Sequence, residues 1–167
     1  ASGARIVVVT AHRREAWGEP LRRVGSALGR IADEFPDVVL VVPVHRNPVV
    51  RDSLLPSLLE RPNVLVTEPL PYGPFCRLLA SAHLVVTDSG GIQEEAPSLG
   101  KPVLVVRDTT ERPEAVTAGT VQLVGTDEET VFESSRRLLA DDAAYDAMAH
   151  SVNPYGDGKA AARSVAA

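Results

Sequence analysis

Residues 83–95 read HLVVTDSGGIQEE. A short run of apolar and β-branched residues stops at Asp88, passes through Ser89, Gly90 and Gly91, and continues into an acidic stretch with helical spacing. Unbroken Val/Leu runs suit strands buried on both faces, as in a parallel sheet. The two glycines leave bare backbone where the strand gives way to the helix. The stretch is therefore one strand–turn–helix unit, and the rest of the chain is built from units of the same kind without an internal sequence repeat.

Apolar runs occur at 5–10 (RIVVVT), 38–44 (VVLVVPV), 64–67 (VLVT), 84–87 (LVVT), 103–106 (VLVV) and 121–124 (VQLV). Helix-period segments fall between them at 19–35, 49–59, 74–82, 91–99 and 111–118, and further helices are predicted at 127–140, 142–150 and 158–165. GEP opens the first helix with proline in its first turn, and FPDV and RPNV close helices ahead of the next strand. This alternation predicts an α/β fold, a Rossmann-like three-layer parallel sheet, as one domain over residues 1–167.

Composition narrows the function. The chain has 167 residues, 44% hydrophobic and 23% charged, the make-up of a soluble globular domain. A net charge of −5 without a basic run argues against a nucleic-acid partner. No apolar run approaches the ~18 residues of a membrane span, and no signal-peptide pattern opens the chain, so a cytoplasmic location without a membrane partner is expected. The single cysteine, Cys76, excludes an intramolecular disulfide and reads as core filler. Four histidines scattered at 12, 45, 83 and 150 give no metal-ligand spacing. The opening residues ASGAR run almost at once into a strand, the look of a segment cut from a longer protein.

Open parallel sheets bind ligands beyond the carboxyl ends of their strands. Those ends carry AHRRE (11–15), HRNP (45–48), EPLPYGPF (68–75), DSGG (88–91) and RDTTERPE (107–114). TDSGG echoes the GDSGG of chymotrypsin-like proteases, which are β-barrels, so an α/β chain does not fit. A nucleophile elbow needs glycine two residues before the serine, where Thr87 stands. Gly100–Lys101 lacks the rest of a Walker loop, and the three-glycine dinucleotide fingerprint is absent.

What remains is an anion site. Ser89 reads as the N-cap, and Gly90 and Gly91 let phosphate approach the unpaired N–H groups of the following helix. Glu94 and Glu95 suit the positive helix end in any case, and one of them could accept bonds from ribose hydroxyls. Adjacent positions point ~100° apart, so only one faces a ligand. His12 follows the first strand directly, where an imidazole can serve as acid, base or phosphate donor, and His45 holds the same place after the second. One of Arg13 and Arg14, taken here as Arg13, is expected to clamp an oxyanion, and Arg112 is a second candidate phosphate ligand. Phe75 and Tyr72 could stack a base; a core role for Phe75 fits its spacing equally well.

The strings TAHRRE, PVHRNP, TDSGGIQEEAPSLGKPVLVVRDTTERPEAVTAGT, LVGTD and NPYGDG, spread over positions 10 to 158, resemble the C-terminal half of the bacterial non-hydrolysing UDP-N-acetylglucosamine 2-epimerases. The resemblance implies the C-terminal half of a GT-B-like fold, with substrate held between two Rossmann-like domains. It places the diphosphate on Ser89, Gly90 and Gly91, the ribose on Glu95 and the uracil near Phe75, with Arg112 in the UDP site and His12 in the active site. It implies an isomerase that eliminates UDP to a 2-acetamidoglucal and adds it back with inversion at C2, giving UDP-N-acetylmannosamine for cell-envelope polysaccharide biosynthesis. No metal or redox cofactor is implied. The whole protein is expected to be a homodimer that binds UDP-N-acetylglucosamine and UDP. The family's main catalytic acids belong to the N-terminal domain, so this chain alone is expected to be inactive. Leu70 departs from the glutamine common there. The UDP-sugar-binding domain of a GT-B glycosyltransferase is the alternative, distinguished by transfer of the sugar to an acceptor.

Overall fold

The computed structural model describes residues 3–156 and 159–166. The last two residues of NPYGDG, the first position of the 158–165 helix and the chain's outermost residues lie outside the described residues. Six parallel strands form one sheet in the order β3-β2-β1-β4-β5-β6: β1 Arg5–Thr10, β2 Val38–Pro43, β3 Val64–Thr67, β4 Leu84–Thr87, β5 Val103–Val105 and β6 Val121–Leu123. The connecting helices are α1 Glu19–Glu34, α2 Pro48–Leu54, α3 Tyr72–Ser81, α4 Ile92–Ser98 and α5 Pro113–Ala118. The helices α6 Glu128–Ala140, α7 Asp142–Ala149 and α8 Ala160–Ala166 follow.

Strand side chains alternate between two apolar layers, as the two-residue period of a strand requires. Val7, Val9, Leu40, Val42, Leu84, Val86 and Leu104 join α1, α2 and α6 in one core. Val8, Val85, Val103 and Val105 join Leu79 of α3, Ile92 and Ala96 of α4 and Ala115 of α5 in the other. Burial on both faces explains why the runs carry no polar alternation. The expected three layers are therefore present.

Helix ends follow local chemistry. Asn47 caps α2 through its side chain on the Val49 N–H at 2.9 Å, and Asp127 caps α6 on the Thr130 N–H at 2.9 Å. The helix predicted over 49–59 stops at Leu54: Leu55 still has helical backbone (φ −74°, ψ −33°), but Pro56 has no N–H to continue the helical hydrogen bonding. Likewise α5 begins at Pro113 rather than at 111, with Arg112 at φ −125°. Among the described residues no helix is long and apolar enough to cross a membrane.

Candidate functional site

From β1 the chain runs outward to β2 and β3, then returns to lay β4 on the other side of β1. Neighbouring crossovers diverge there, and the gap beyond the two strands is the expected ligand crevice of such a sheet. The final residues of β1 and β4, Thr10 and Thr87, sit in register, and their hydroxyls share a hydrogen bond of 2.7 Å. The Thr87 hydroxyl also accepts the Ser89 N–H at 3.0 Å, which sets the start of the glycine turn.

Above this pair opens a cavity of about 230 Å³. Thr10 lines it from the end of β1, Ala11 and His12 from the loop that follows, Pro43 from the end of β2, His45 from the loop after it, Pro69 and Leu70 from the loop after β3, Phe75 from α3, Ser89 from the turn after β4 and Ile92 from the start of α4. Four sequence-predicted residues, His12, His45, Phe75 and Ser89, thus share one cavity. Leu70, the departure from the family pattern, also lies in its wall. The imidazoles of His12 and His45 stack with centroids 5.3 Å apart and planes 8° from parallel.

Ser89 corrects one expectation. It is not the N-cap of α4; Gly91 holds that place and offers no side-chain cap. Gly91 already has helical backbone (φ −64°, ψ −39°), so the helical path begins two residues beyond Ser89 and carries the hydroxyl off the helix end. The Ser89 carbonyl instead accepts the side-chain N–H of buried Gln93 at 3.2 Å.

Neither Gly90 nor Gly91 has positive φ. A Cβ on Gly90 would meet nothing closer than the Arg13 guanidinium at 3.9 Å, and one on Gly91 nothing closer than the Glu95 carboxylate at 3.9 Å. Backbone geometry and internal packing therefore both permit alanine here. The Arg13 guanidinium makes no hydrogen bond or ion pair among the described residues, so a cation stands beside bare backbone at the sheet's switch point.

The two adjacent acids diverge as helix geometry requires. Glu94 accepts a hydrogen bond from the Arg112 guanidinium. Glu95 makes neither hydrogen bond nor ion pair among the described residues and faces α3. There its charge, after the hydrogen bond with Cys76, helps push the Tyr72 phenol above its ordinary value. Arg112 does not line the cavity. It sits one layer away, joined to the glycine turn through Thr110, which accepts the Arg112 N–H at 3.0 Å and donates to Gln93 at 2.5 Å. Arg107 ties the other flank together. Its largely buried guanidinium lies 2.9 Å from Glu15 and 2.8 Å from Glu111, and it holds the Glu111 carboxyl down at about 2.

Sequence reasoning missed Asp88. Its carboxylate is fully buried, and one oxygen accepts the backbone N–H groups of His12 and Arg13, each at 2.6 Å. Trp17 completes the clasp by donating to the His12 carbonyl at 3.0 Å. The only signal available was position, since Asp88 is the first residue after β4.

A doubly wound parallel sheet with a polar-rimmed cavity at its switch point defines the class: a Rossmann-like ligand-binding domain. The sequence profile of the UDP-N-acetylglucosamine 2-epimerase family matches residues 1–167, and the chain belongs to that family. It is 54% identical over 159 residues to the UDP-N-acetylglucosamine 2-epimerase of Escherichia coli K12, covering 95% of this chain and 42% of that protein. The enzyme of the same name from Bacillus subtilis is 51% identical over 161 residues, again with 42% of its length matched. The crystal structure of UDP-GlcNAc 2-epimerase from Neisseria meningitidis bound to UDP-GlcNAc superposes with a TM-score of 0.93 at 46% identity, over 99% of this chain and 45% of that one. The chain therefore spans less than half the length of these relatives. The C-terminal domain of a group 1 glycosyl transferase from Francisella tularensis shares the fold alone, with a TM-score of 0.67 at 14% identity over 92% of this chain and 83% of that domain.

Proposed function

We propose that this chain is the UDP-binding half of a non-hydrolysing epimerase that interconverts UDP-N-acetylglucosamine and UDP-N-acetylmannosamine by eliminating UDP and adding it back. The observation that carries the reading is the glycine pair. Gly90 and Gly91 are dispensable to backbone conformation and to internal packing, yet Gly90 lies beside the Arg13 guanidinium, which makes no hydrogen bond or ion pair among the described residues. Missing side chains there leave room for an anion to reach backbone N–H groups.

In this reading Ser89, Gly90, Gly91 and Arg13 hold the diphosphate. Phe75 lies against the uracil, and Glu95, without a hydrogen bond or ion pair among the described residues, accepts from the ribose. Arg112 supports the same end through its tie to the glycine turn. His45 contacts substrate, and His12 handles a proton at the reacting end. The sugar projects toward a second α/β half, and the reaction needs no metal or redox cofactor. The whole protein acts as a cytoplasmic homodimer supplying cell-envelope polysaccharide synthesis.

Calorimetric titration of the chain with UDP tests the reading. Saturable one-to-one binding that UMP reproduces only weakly is expected; no heat of binding at millimolar UDP would reject it. Products made by the whole protein separate an epimerase from a glycosyltransferase, as a mannosamine nucleotide sugar against free UDP plus a glycoside.

A further inference from the structure

We infer that Asp88 and the backbone N–H of Asn47 set the two stacked imidazoles in opposite tautomers, so that the cavity is offered a proton acceptor by His12 and a proton donor by His45. Asp88 is then a positioning residue for His12. The inference deepens the proposed role of His12 and rests on that reading only for its use, not for its geometry.

Buried Asp88 has one carboxylate oxygen, Oδ2, fully engaged by the N–H groups of His12 and Arg13 at 2.6 Å each. The other, Oδ1, is buried without a hydrogen-bond partner, and His12 Nδ1 stands 3.4 Å from it. An unprotonated Nδ1 would set lone pair against lone pair beside an oxygen buried from solvent and leave that oxygen orphaned. A proton on Nδ1 satisfies both atoms with a small shortening of the contact. The remaining nitrogen, Nε2, keeps its lone pair on a ring that lines the cavity and is 41% exposed.

His45 is held the other way round. Its Nδ1 accepts the Asn47 N–H at 3.1 Å, so its proton resides on Nε2. The two rings lie nearly parallel, 5.3 Å apart, which sets an acceptor and a donor side by side on one wall. Such a pair can take a proton at one point while bonding a phosphate or sugar oxygen at the other.

The two N–H groups on Oδ2 make the test sharp. In Asp88→Asn the amide oxygen must stay at the Oδ2 position to accept them, which turns the NH₂ group toward His12 Nδ1. That donor demands a lone pair on Nδ1 and drives the proton to Nε2.

Long-range ¹⁵N–¹H spectra of the imidazoles, recorded on the nucleotide-free chain about two units above the ordinary histidine pKa of ~6.5, read this directly. Expected are a pyrrole-type Nδ1 and pyridine-type Nε2 for His12, the reverse for His45, and in Asp88→Asn an exchange of the two types at His12 alone. A pyridine-type Nδ1 or a doubly protonated ring at His12 in the unaltered chain overturns the inference, and so does a variant in which His12 keeps its tautomer. If Asp88→Asn does not fold, the unaltered chain's spectrum decides alone. Because no nucleotide is present, this outcome is separate from whether the chain binds UDP.

Discussion

Glu94 and Glu95 are neighbours in sequence but opposites in commitment: Glu94 is bonded to the Arg112 guanidinium, while Glu95 makes no hydrogen bond or ion pair among the described residues and acts on Tyr72 of α3. A carboxylate left without a partner beside the glycine turn, 3.9 Å from where a Gly91 Cβ would stand, is available to a ligand; one already paired is not. Glu95→Gln is therefore expected to weaken UDP binding tenfold or more, the loss of a charged hydrogen bond of about 1.5–3 kcal/mol. Glu94→Gln should cost less, because it only loosens a half-exposed ion pair. Calorimetry on both variants decides, and the reverse ranking would refute the assignment.

The bare backbone at Gly90 yields a second expectation. Alanine fits there, since its methyl group would meet nothing nearer than the Arg13 guanidinium at 3.9 Å. Gly90→Ala should unfold at the same temperature as the unaltered chain but bind UDP at least tenfold more weakly, about 1.4 kcal/mol. Unchanged affinity in a folded variant would remove the diphosphate from this turn.

These two sites show what the sequence reveals and what it hides. Strands read clearly from runs such as LVVT, because burial on both faces removes polar residues from them. The glycine pair stood out in the sequence because it follows a strand closely, but that neither position needs glycine for backbone or packing shows only in the structure. Asp88 was not legible. An acid after a strand reads as a solvated loop residue, and its burial depends on the β1 loop, 75 residues away in sequence, folding over it. The His12–His45 stack follows from β1 and β2 being adjacent, a relation no local pattern encodes. Ser89 misled because N-cap preference describes side chains, while here the backbone beyond the glycines sets where the helix starts.

Two glycines of α1 answer to packing instead. Gly25 and Gly29 lie one turn apart, and a Cβ on either would sit 2.8 Å from the Leu54 carbonyl oxygen or 2.6 Å from that of Ser57. Backbone cannot yield as a side chain can. Gly29→Ala is expected to destabilise the domain by about 1–3 kcal/mol, lowering the unfolding midpoint by ~2–4 °C per kcal/mol in a chain of this size. Thermal unfolding followed by circular dichroism measures it, and an unchanged or raised midpoint would show that α1 moves freely away from the α2 segment.

Acid sensitivity has a named contributor in Glu111. Hydrogen bonding to Arg107, the largest cause, brings its carboxyl from an ordinary 4.5 to about 2. A value lowered in the folded state means that the ionised form favours folding. That contribution is complete above pH 4.5 and is lost as pH falls through about 2. The stability difference between the unaltered chain and Glu111→Gln should accordingly be constant near neutrality and shrink between those limits. Carboxyl carbon NMR of Glu111 gives the same test directly, with Arg107→Gln expected to return the titration toward 4.5. A midpoint near 4.5 in the unaltered chain would contradict it.

The last expectation concerns chemistry. Elimination across C1–C2 of the sugar needs a base positioned at C2 and a diphosphate held as leaving group. The chain offers the second requirement through the glycine turn and Arg13, which can stabilise charge developing on the departing diphosphate. For the first it offers His12 and His45, and none of the ten residues lining the cavity is a carboxylate. The tautomers inferred above make His12 the sole acceptor of the pair, while removing one proton at C2 and returning another to the opposite face requires two groups. The relatives that carry the epimerase name are more than twice as long as the matched segment, and the family resemblance assigns the missing acids to their other half. Closure of two halves would also exclude water from the cleft. The purified chain, incubated with UDP-N-acetylglucosamine in deuterated water, is therefore expected to bind nucleotide without exchanging the C2 hydrogen or forming the mannosamine epimer. Sustained exchange, or catalytic release of UDP, would mean that the stacked imidazoles suffice and that the chemistry is not shared between two domains.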